Sequence, residues 1–150
     1  MKLKILVKII EKILGIPSSG DGPRADMYMP DKLLANALVY LGGGIGCAIF
    51  AVIKFKIMAV VLAVVGVVFG IFALLTWKNQ SIQVISDEQF TYTTMFGRTR
   101  TYSFADIQWL RNNPDSMTLF VANKKIHIDS MAIISPRLLK LIKNSLEQKK

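Results

Sequence analysis

Residues 33–77 read LLANALVYLGGGIGCAIFAVIKFKIMAVVLAVVGVVFGIFALLTW. Only Lys54-Phe55-Lys56 divides this stretch into two blocks, Leu33 to Ile53 and Ile57 to Trp77, and neither block contains an Asp, Glu, Lys, Arg or His. Each is about the 20 residues that a helix needs to cross a hydrocarbon core. The sequence therefore predicts a membrane protein anchored by a tight helical hairpin, 33–77, with the remaining chain, 78–150, folded on the same side as the amino terminus.

The 150 residues leave room beside the hairpin for one small domain, so a large enzyme core does not fit. The one cysteine, Cys47, falls in the middle of the first apolar block, which rules out a disulfide framework within the chain. The net charge of +9 is uneven: residues 78–150 carry eleven Lys/Arg against six acids, and residues 1–32 carry six against four. Beside apolar spans, such an excess points to anionic headgroups and the positive-inside bias rather than to nucleic acid. Counting the lysines near the amino terminus, which an inverted hairpin would have to translocate, the sequence predicts both termini in the cytoplasm.

Residues 1–16 form an amphipathic pattern. At 100° per residue Lys4, Lys8, Glu11 and Lys12 gather in one arc, opposite Leu3, Leu6, Ile9, Ile10, Ile13 and Leu14. A helix of this kind lies in the membrane interface with Lys4, Lys8 and Lys12 toward the headgroups, or packs on a protein surface. Residues 17–32, rich in Gly, Pro, Ser and Asp, read as a linker. Trp77, at the end of the second block, stands where an interfacial anchor belongs.

Within the blocks, glycines at four-residue spacing, Gly42 with Gly46 and Gly66 with Gly70, suit close helix packing where lipid supplies no hydrophobic drive between helices. They serve the hairpin itself or a homo-oligomer. A channel-like oligomer would need a polar stripe, and only Asn36 and Tyr40 offer one near the end of the first helix.

From Ser81 the pattern alternates with period two, and six short strands are expected. Ile82 and Val84 share a face of the first; after a turn at Ser86-Asp87-Glu88, Phe90, Tyr92, Thr94 and Phe96 share a face of the second. Gly97-Arg98 fits a two-residue hairpin loop with Gly at the first central position, as a II′ turn requires. Thr99 to Phe104 makes the third strand, and in the fourth Ile107, Trp109 and Arg111 alternate with Gln108, Leu110 and Asn112. Met117, Leu119 and Val121 mark the fifth; Ile126 and Ile128 mark the sixth, with His127 on its solvent face. Ser135-Pro136 then gives an N-cap followed by Pro at N1, and Leu138, Leu141, Ile142 and Leu146 form the stripe of a closing helix. The fold class is thus a membrane α-helical hairpin plus an α+β, mainly-β domain, a bent antiparallel sheet or partial barrel capped by a C-terminal helix.

The residues Ile82, Val84, Asp87, Phe90 and Tyr92, followed by Gly97, Arg98, Arg100, Tyr102, Ser103, Phe104, Asp106 and Ile107, carry a resemblance. This half of the chain resembles bacterial pleckstrin-homology-like (PH-like) domains, including the YcxB-like proteins that place one after a pair of membrane helices. The resemblance implies a non-enzymatic module for membrane-associated assembly. Phosphoinositide-binding members hold phosphates on a basic first hairpin loop, whereas the corresponding turn here carries Asp87 and Glu88, which repel a phosphorylated headgroup.

Catalytic chemistry finds little purchase. A nucleophile, base and orienting group must lie within reach of one another, yet the single histidine, His127, is expected on a strand surface and Cys47 in lipid. The Gly42-Gly43-Gly44-Ile45-Gly46 run lies inside a helix and matches no phosphate-binding loop. No metal or cofactor is expected. The aromatic and basic residues Arg98, Arg100, Tyr102 and Trp109 are the expected interaction surface, since Arg and aromatics are enriched at interfaces. Strand alternation divides them between two faces, and the register decides which is buried. The expected function is a scaffolding or interaction protein with an unidentified protein partner at the membrane; the alternative is a small glycine-rich, membrane-active or channel-like oligomer regulated by its domain.

Overall fold

A computed structural model describes residues 2–13, 25–54 and 56–149, which divide into two compact units. The first unit holds α1 (Lys2–Ile13), α2 (Asp31–Lys54) and α3 (Ile57–Asn79), the last residue of α3 belonging to the second unit. Helices α2 and α3 are long and apolar enough to cross a membrane.

Where α2 and α3 meet, small buried residues are spaced by seven, Ala37, Gly44 and Ala51 on α2 and Ala63 and Gly70 on α3, and Leu34, Ala59 and Trp77 are buried as well. That spacing keeps one seam facing its neighbour along two helices. A Cβ on Gly44 would come within 2.7 Å of the Val67 nitrogen, and one on Gly70 within 2.6 Å of Leu41 Cγ. A Cβ on Gly66 would meet the backbone of Gly44 and Tyr40 at 3.0 to 3.1 Å. Gly42 and Gly46, expected in this seam, have nothing within 4 Å. Gly44 takes their place, because residues two apart on a helix point about 200° apart.

The base of the hairpin corrects the expected role of Trp77. Its ring is 2 % exposed and its Nε1–H points at Asp31 Oδ1, 3.4 Å away, so it closes the hairpin rather than facing lipid. In α1, Val7 is buried while Ile5, Ile9 and Ile13 are exposed, with Lys8 and Lys12 also exposed. The side chains of Lys4, Leu3, Leu6 and Glu11, and residues 14–16, lie outside the described part.

The second unit contains two antiparallel sheets that do not close into a barrel. One has the order β4-β3-β2-β1-β8, from β1 (Met27–Tyr28), β2 (Ser81–Val84), β3 (Gln89–Thr93), β4 (Thr99–Ser103) and β8 (Ile133–Ile134). The other has the order β5-β6-β7, from β5 (Ile107–Asn113), β6 (Ser116–Val121) and β7 (Lys124–Asp129). A 3-10 turn, Phe104–Asp106, joins β4 to β5, with Ser103 Oγ accepting from the Ala105 N–H. Helix α4 (Pro136–Glu147) starts under the Ser135 cap, whose Oγ accepts from Leu138 N–H at 3.1 Å. It packs on β5 and the 3-10 turn, where Ser145 Oγ donates to the Phe104 carbonyl and Lys149 Nζ to the Ala105 and Ile107 carbonyls. Phe90, Ile82, Leu119, Ile126, Ile128 and Leu138 are among the side chains filling the space between sheets and helix.

The stretch expected as a linker, 17–32, is corrected by β1. Met27 pairs with Ile82 on one side and Ile134 on the other, and both Met27 and Met29 are buried. Asp26 fastens the same place. Its Oδ2 accepts from Val84 N–H at 2.9 Å, its Oδ1 accepts from Ser135 Oγ–H at 2.9 Å, and its carbonyl accepts from Ser135 N–H at 2.6 Å. Residues 17–24 lie outside the described part.

Two local departures reshape the strands. Thr93 pairs with Thr99, so the β3–β4 connection is longer than a Gly97-Arg98 two-residue loop. Thr94 N–H donates to the Arg98 carbonyl and Gly97 N–H to the Thr94 carbonyl, which encloses a three-residue loop, Met95 to Gly97. Gly97 has φ +77°, the left-handed position that closes such loops and suits glycine. In β5, Ile107 opposes Val121 and Trp109 opposes Phe120, leaving Gln108 as the extra residue of a bulge. Ile107 and Leu110 therefore turn to the core and Trp109 turns outward, where strict alternation would have put Ile107 and Trp109 together.

Candidate functional site: a basic, aromatic groove

On β3 and β4 the sequence alternates sharply. Thr91 opposes Thr101 and Thr93 opposes Thr99, with the last two hydroxyls 2.9 Å apart. Cross-strand threonine pairs of this kind stabilise a solvent-facing ladder. The intervening residues take the other face: Phe90 opposes Tyr102 and Tyr92 opposes Arg100. That face changes character along its length. At the Phe90 end it belongs to the core, where the rings of Phe90 and Tyr102 are 5.8 Å apart and those of Phe90 and Phe104 are 4.8 Å apart. Toward the hairpin loop it becomes Arg100 and then Arg98.

The result is an open groove of about 660 Å³. Its walls include Arg98, Arg100 and Tyr102 of β4, Tyr92 of β3, and Lys124 and Lys125 at the start of β7. No Asp or Glu among the described residues lines it. Arg98, Arg100, Lys124 and Lys125 are exposed, and none forms an ion pair with another described residue. Burial raises the Tyr92 phenol above its ordinary value of 10.0, opposed by a hydrogen bond from the Gln80 side chain and reinforced by nearby Tyr102. The phenol stays neutral beside the arginines, as a donor and acceptor on the groove wall.

The loop above the groove is held from the end of α3. Asn79 Nδ2–H donates to the Met95 carbonyl at 2.7 Å, and Gln80 Nε2–H donates to the His127 carbonyl at 3.1 Å. Phe96 stands at the loop apex, 67 % exposed.

Of the residues expected to form an interaction surface, the structure brings Arg98, Arg100 and Tyr102 together in this groove. Trp109 is elsewhere. Its ring stacks on Phe120 at 3.8 Å and 7°, on the outer face of the second sheet, with Lys125 Nζ 5.6 Å from the Phe120 centroid. Lys125 thus reaches both the stacked pair and the groove. Nothing local in the sequence marks Lys124 and Lys125 as part of this surface, since only tertiary structure brings the start of β7 beside β4.

Other chemistry is sparse. His127 lies on the exposed face of β7, with Nδ1 3.4 Å from Thr118 Oγ1. Among the described residues no group of three His, Cys, Asp or Glu side chains is arranged to hold a metal ion. A second cleft, bounded by Asp87, Glu88, Ser103 and Asn144, carries the acids at the opposite end of β3.

The groove can hold an anion between cationic side chains and aromatic walls. No curated protein and no solved structure matches the chain. A family model described as "Family of unknown function (DUF6560)" matches residues 32–145, from the start of α2 into α4. The match takes in both apolar helices and nearly all of the sheet unit, and the chain belongs to this family of unknown function, DUF6560.

Proposed function

We propose that this protein is a membrane-anchored, PH-like interaction module, non-catalytic, whose hairpin crosses the membrane twice and whose basic groove takes an anionic partner at the cytoplasmic face. The arrangement of two unclosed antiparallel sheets with a terminal helix packed on them supports the PH-like reading. The observation that carries the topology is the β1–β2 pairing, Met27 with Ile82 and Tyr28 with Ser81. Strand β1 precedes the first apolar helix and β2 follows the second. Hydrogen-bonded neighbours in one sheet lie about 5 Å apart, so the two flanks of a spanning hairpin share one side of the membrane. The lysines of α1 favour the cytoplasm for that side.

The test is cross-linking of the full-length protein in its native membrane, compared with Arg98→Glu combined with Arg100→Glu. The expected outcome is a cross-linked partner with the parent that is lost with the variant, at equal membrane content. Self-cross-links alone, unchanged by the variant, overturn this reading in favour of a helix-driven oligomer. That second reading is supported by Gly42, Gly43 and Gly46, which leave an open small-residue face on α2.

A further inference from the structure

We infer that the anionic partner of the groove is the lipid surface itself: Phe96 seats at the headgroup boundary while Arg98, Arg100, Lys124 and Lys125 meet lipid phosphates. The inference rests on the interaction-module reading and names its partner.

Three observations converge on it. The first is charge. Three cations elsewhere in the same unit are engaged: Arg137 pairs with Asp87 at 3.0 Å, Lys143 lies 3.9 Å from Glu147, and Lys149 caps two carbonyls, while Arg111 and Lys140 stand singly among the described residues. The four groove cations meet no carboxylate among the described residues, while Asp87 and Glu88 sit at the far end of β3, roughly 17 Å away for a five-residue strand. The unit is therefore electrically polar along β3, positive at the 95–98 loop.

The second is the loop itself. A large aromatic ring at a turn apex, followed by Gly97 and Arg98, has the amphipathic character of side chains at membrane–water boundaries, where the ring leaves water and the cation stays with the phosphates.

The third is the tether. Asn79, which holds the Met95 carbonyl, comes two residues after Trp77, the last residue of the apolar block. Two residues of chain reach at most about 7 Å. A surface that receives the end of a spanning α3 is thus within that reach of the residue holding the loop. A soluble acidic protein would satisfy the charges equally, but it would gain nothing from the tether or from Phe96 at the apex.

The experiment uses the full chain in lipid nanodiscs, with Cys47→Ala and Phe96→Cys carrying an NBD fluorophore. In discs of mixed phosphatidylcholine and phosphatidylglycerol, blue-shifted emission quenched by doxyl-labelled lipid is expected. In phosphatidylcholine alone, and in high salt, the emission is expected to revert to that of a probe in water. Arg98→Gln with Arg100→Gln is expected to shift the docked-to-free ratio by roughly 25-fold, about fivefold per charge. A matching probe at Ile85→Cys, beside the acidic turn, stays in water. A probe at 96 that reports water in both kinds of disc overturns the inference, as does equal shielding at 85 and 96. Shielding at 96 that is independent of phosphatidylglycerol and insensitive to doxyl lipid places a protein there instead. That last result, with a cross-linked partner lost on Arg→Glu substitution, leaves the interaction module standing without its lipid.

Discussion

In the two-helix unit most buried positions of α2 and α3 are small, Ala37, Gly44, Ala51, Ala59, Ala63 and Gly70, with Leu34 and Trp77 the large exceptions, whereas the sheet unit buries Phe90, Ile82, Leu119, Ile126 and Ile128. The large apolar side chains of the helices, such as Ile49, Val64, Phe69 and Phe72, point outward instead. The contrast follows from the surroundings each unit suits. In water, removing apolar area is worth about 25 cal/mol per Å², so the largest side chains go inside. In lipid there is no such gain, and contact is won by small residues that let backbones approach. A helix apolar all round, as α3 is, with its large side chains exposed, fits the second case.

The contrast can be broken from either side. Phe90→Ala, a large-to-small change in the sheet unit, is expected to cost about 3–5 kcal/mol by the lost transfer energy and the cavity left behind. Urea unfolding of the full chain in micelles, followed by near-UV circular dichroism, measures it. The converse change belongs in the hairpin. Gly70→Leu places carbon where Leu41 Cγ already lies 2.6 Å from an ideal Cβ, and overpacking of this kind costs about 1–3 kcal/mol. Gly42→Leu, with nothing within 4 Å, serves as its partner and is expected to change hairpin stability by less than about 0.5 kcal/mol. Steric-trap measurements in bicelles compare the two. Equal costs would show that the 42–46 face is also packed, which sharpens the comparison toward self-association.

The smallest effect concerns Tyr92, a half-buried polar group at the boundary between core and groove. Its folded-state pKa lies above 10.0, so between that value and the folded one the native state holds the proton more tightly than the unfolded chain. Stability is then full below about pH 10 and declines as pH rises through the folded value. Tyr92→Phe is expected to flatten this part of an alkaline stability profile, leaving neutral stability nearly unchanged.

Much of the architecture was written locally. Apolar length defines α2 and α3; Ser135-Pro136 and the Leu138–Leu146 stripe define α4; alternation defines β6 and β7. What escaped depends on distant partners. Strand β1 is two residues long and owes its existence to β2 and β8, and Asp26 is unremarkable until Val84 and Ser135 arrive. Gly97 suits either a two- or a three-residue loop, and the pairing of Thr93 with Thr99 decides. The bulge at Gln108 reversed the face of Trp109. In the hairpin, the choice of Gly44 over Gly42 and Gly46 is a matter of rotational phase, which a helix apolar all round does not encode. The groove was half legible: Arg98, Arg100 and Tyr102 share a period-two face, but Lys124 and Lys125 join them only through tertiary structure.

The two-residue β1 also fixes a schedule for biosynthesis. Met27 leaves the ribosome before either apolar helix, Ile82 follows both, and Ile134 is made about a hundred residues later than Met27, roughly 5–20 s at ordinary translation rates. Until then the first sheet lacks members, and the edge of β1 that β8 takes has no strand to pair with. Packing of α2 against α3 gathers the ends of the loop between β1 and β2, so that an otherwise slow, non-local pairing begins with its strands already close.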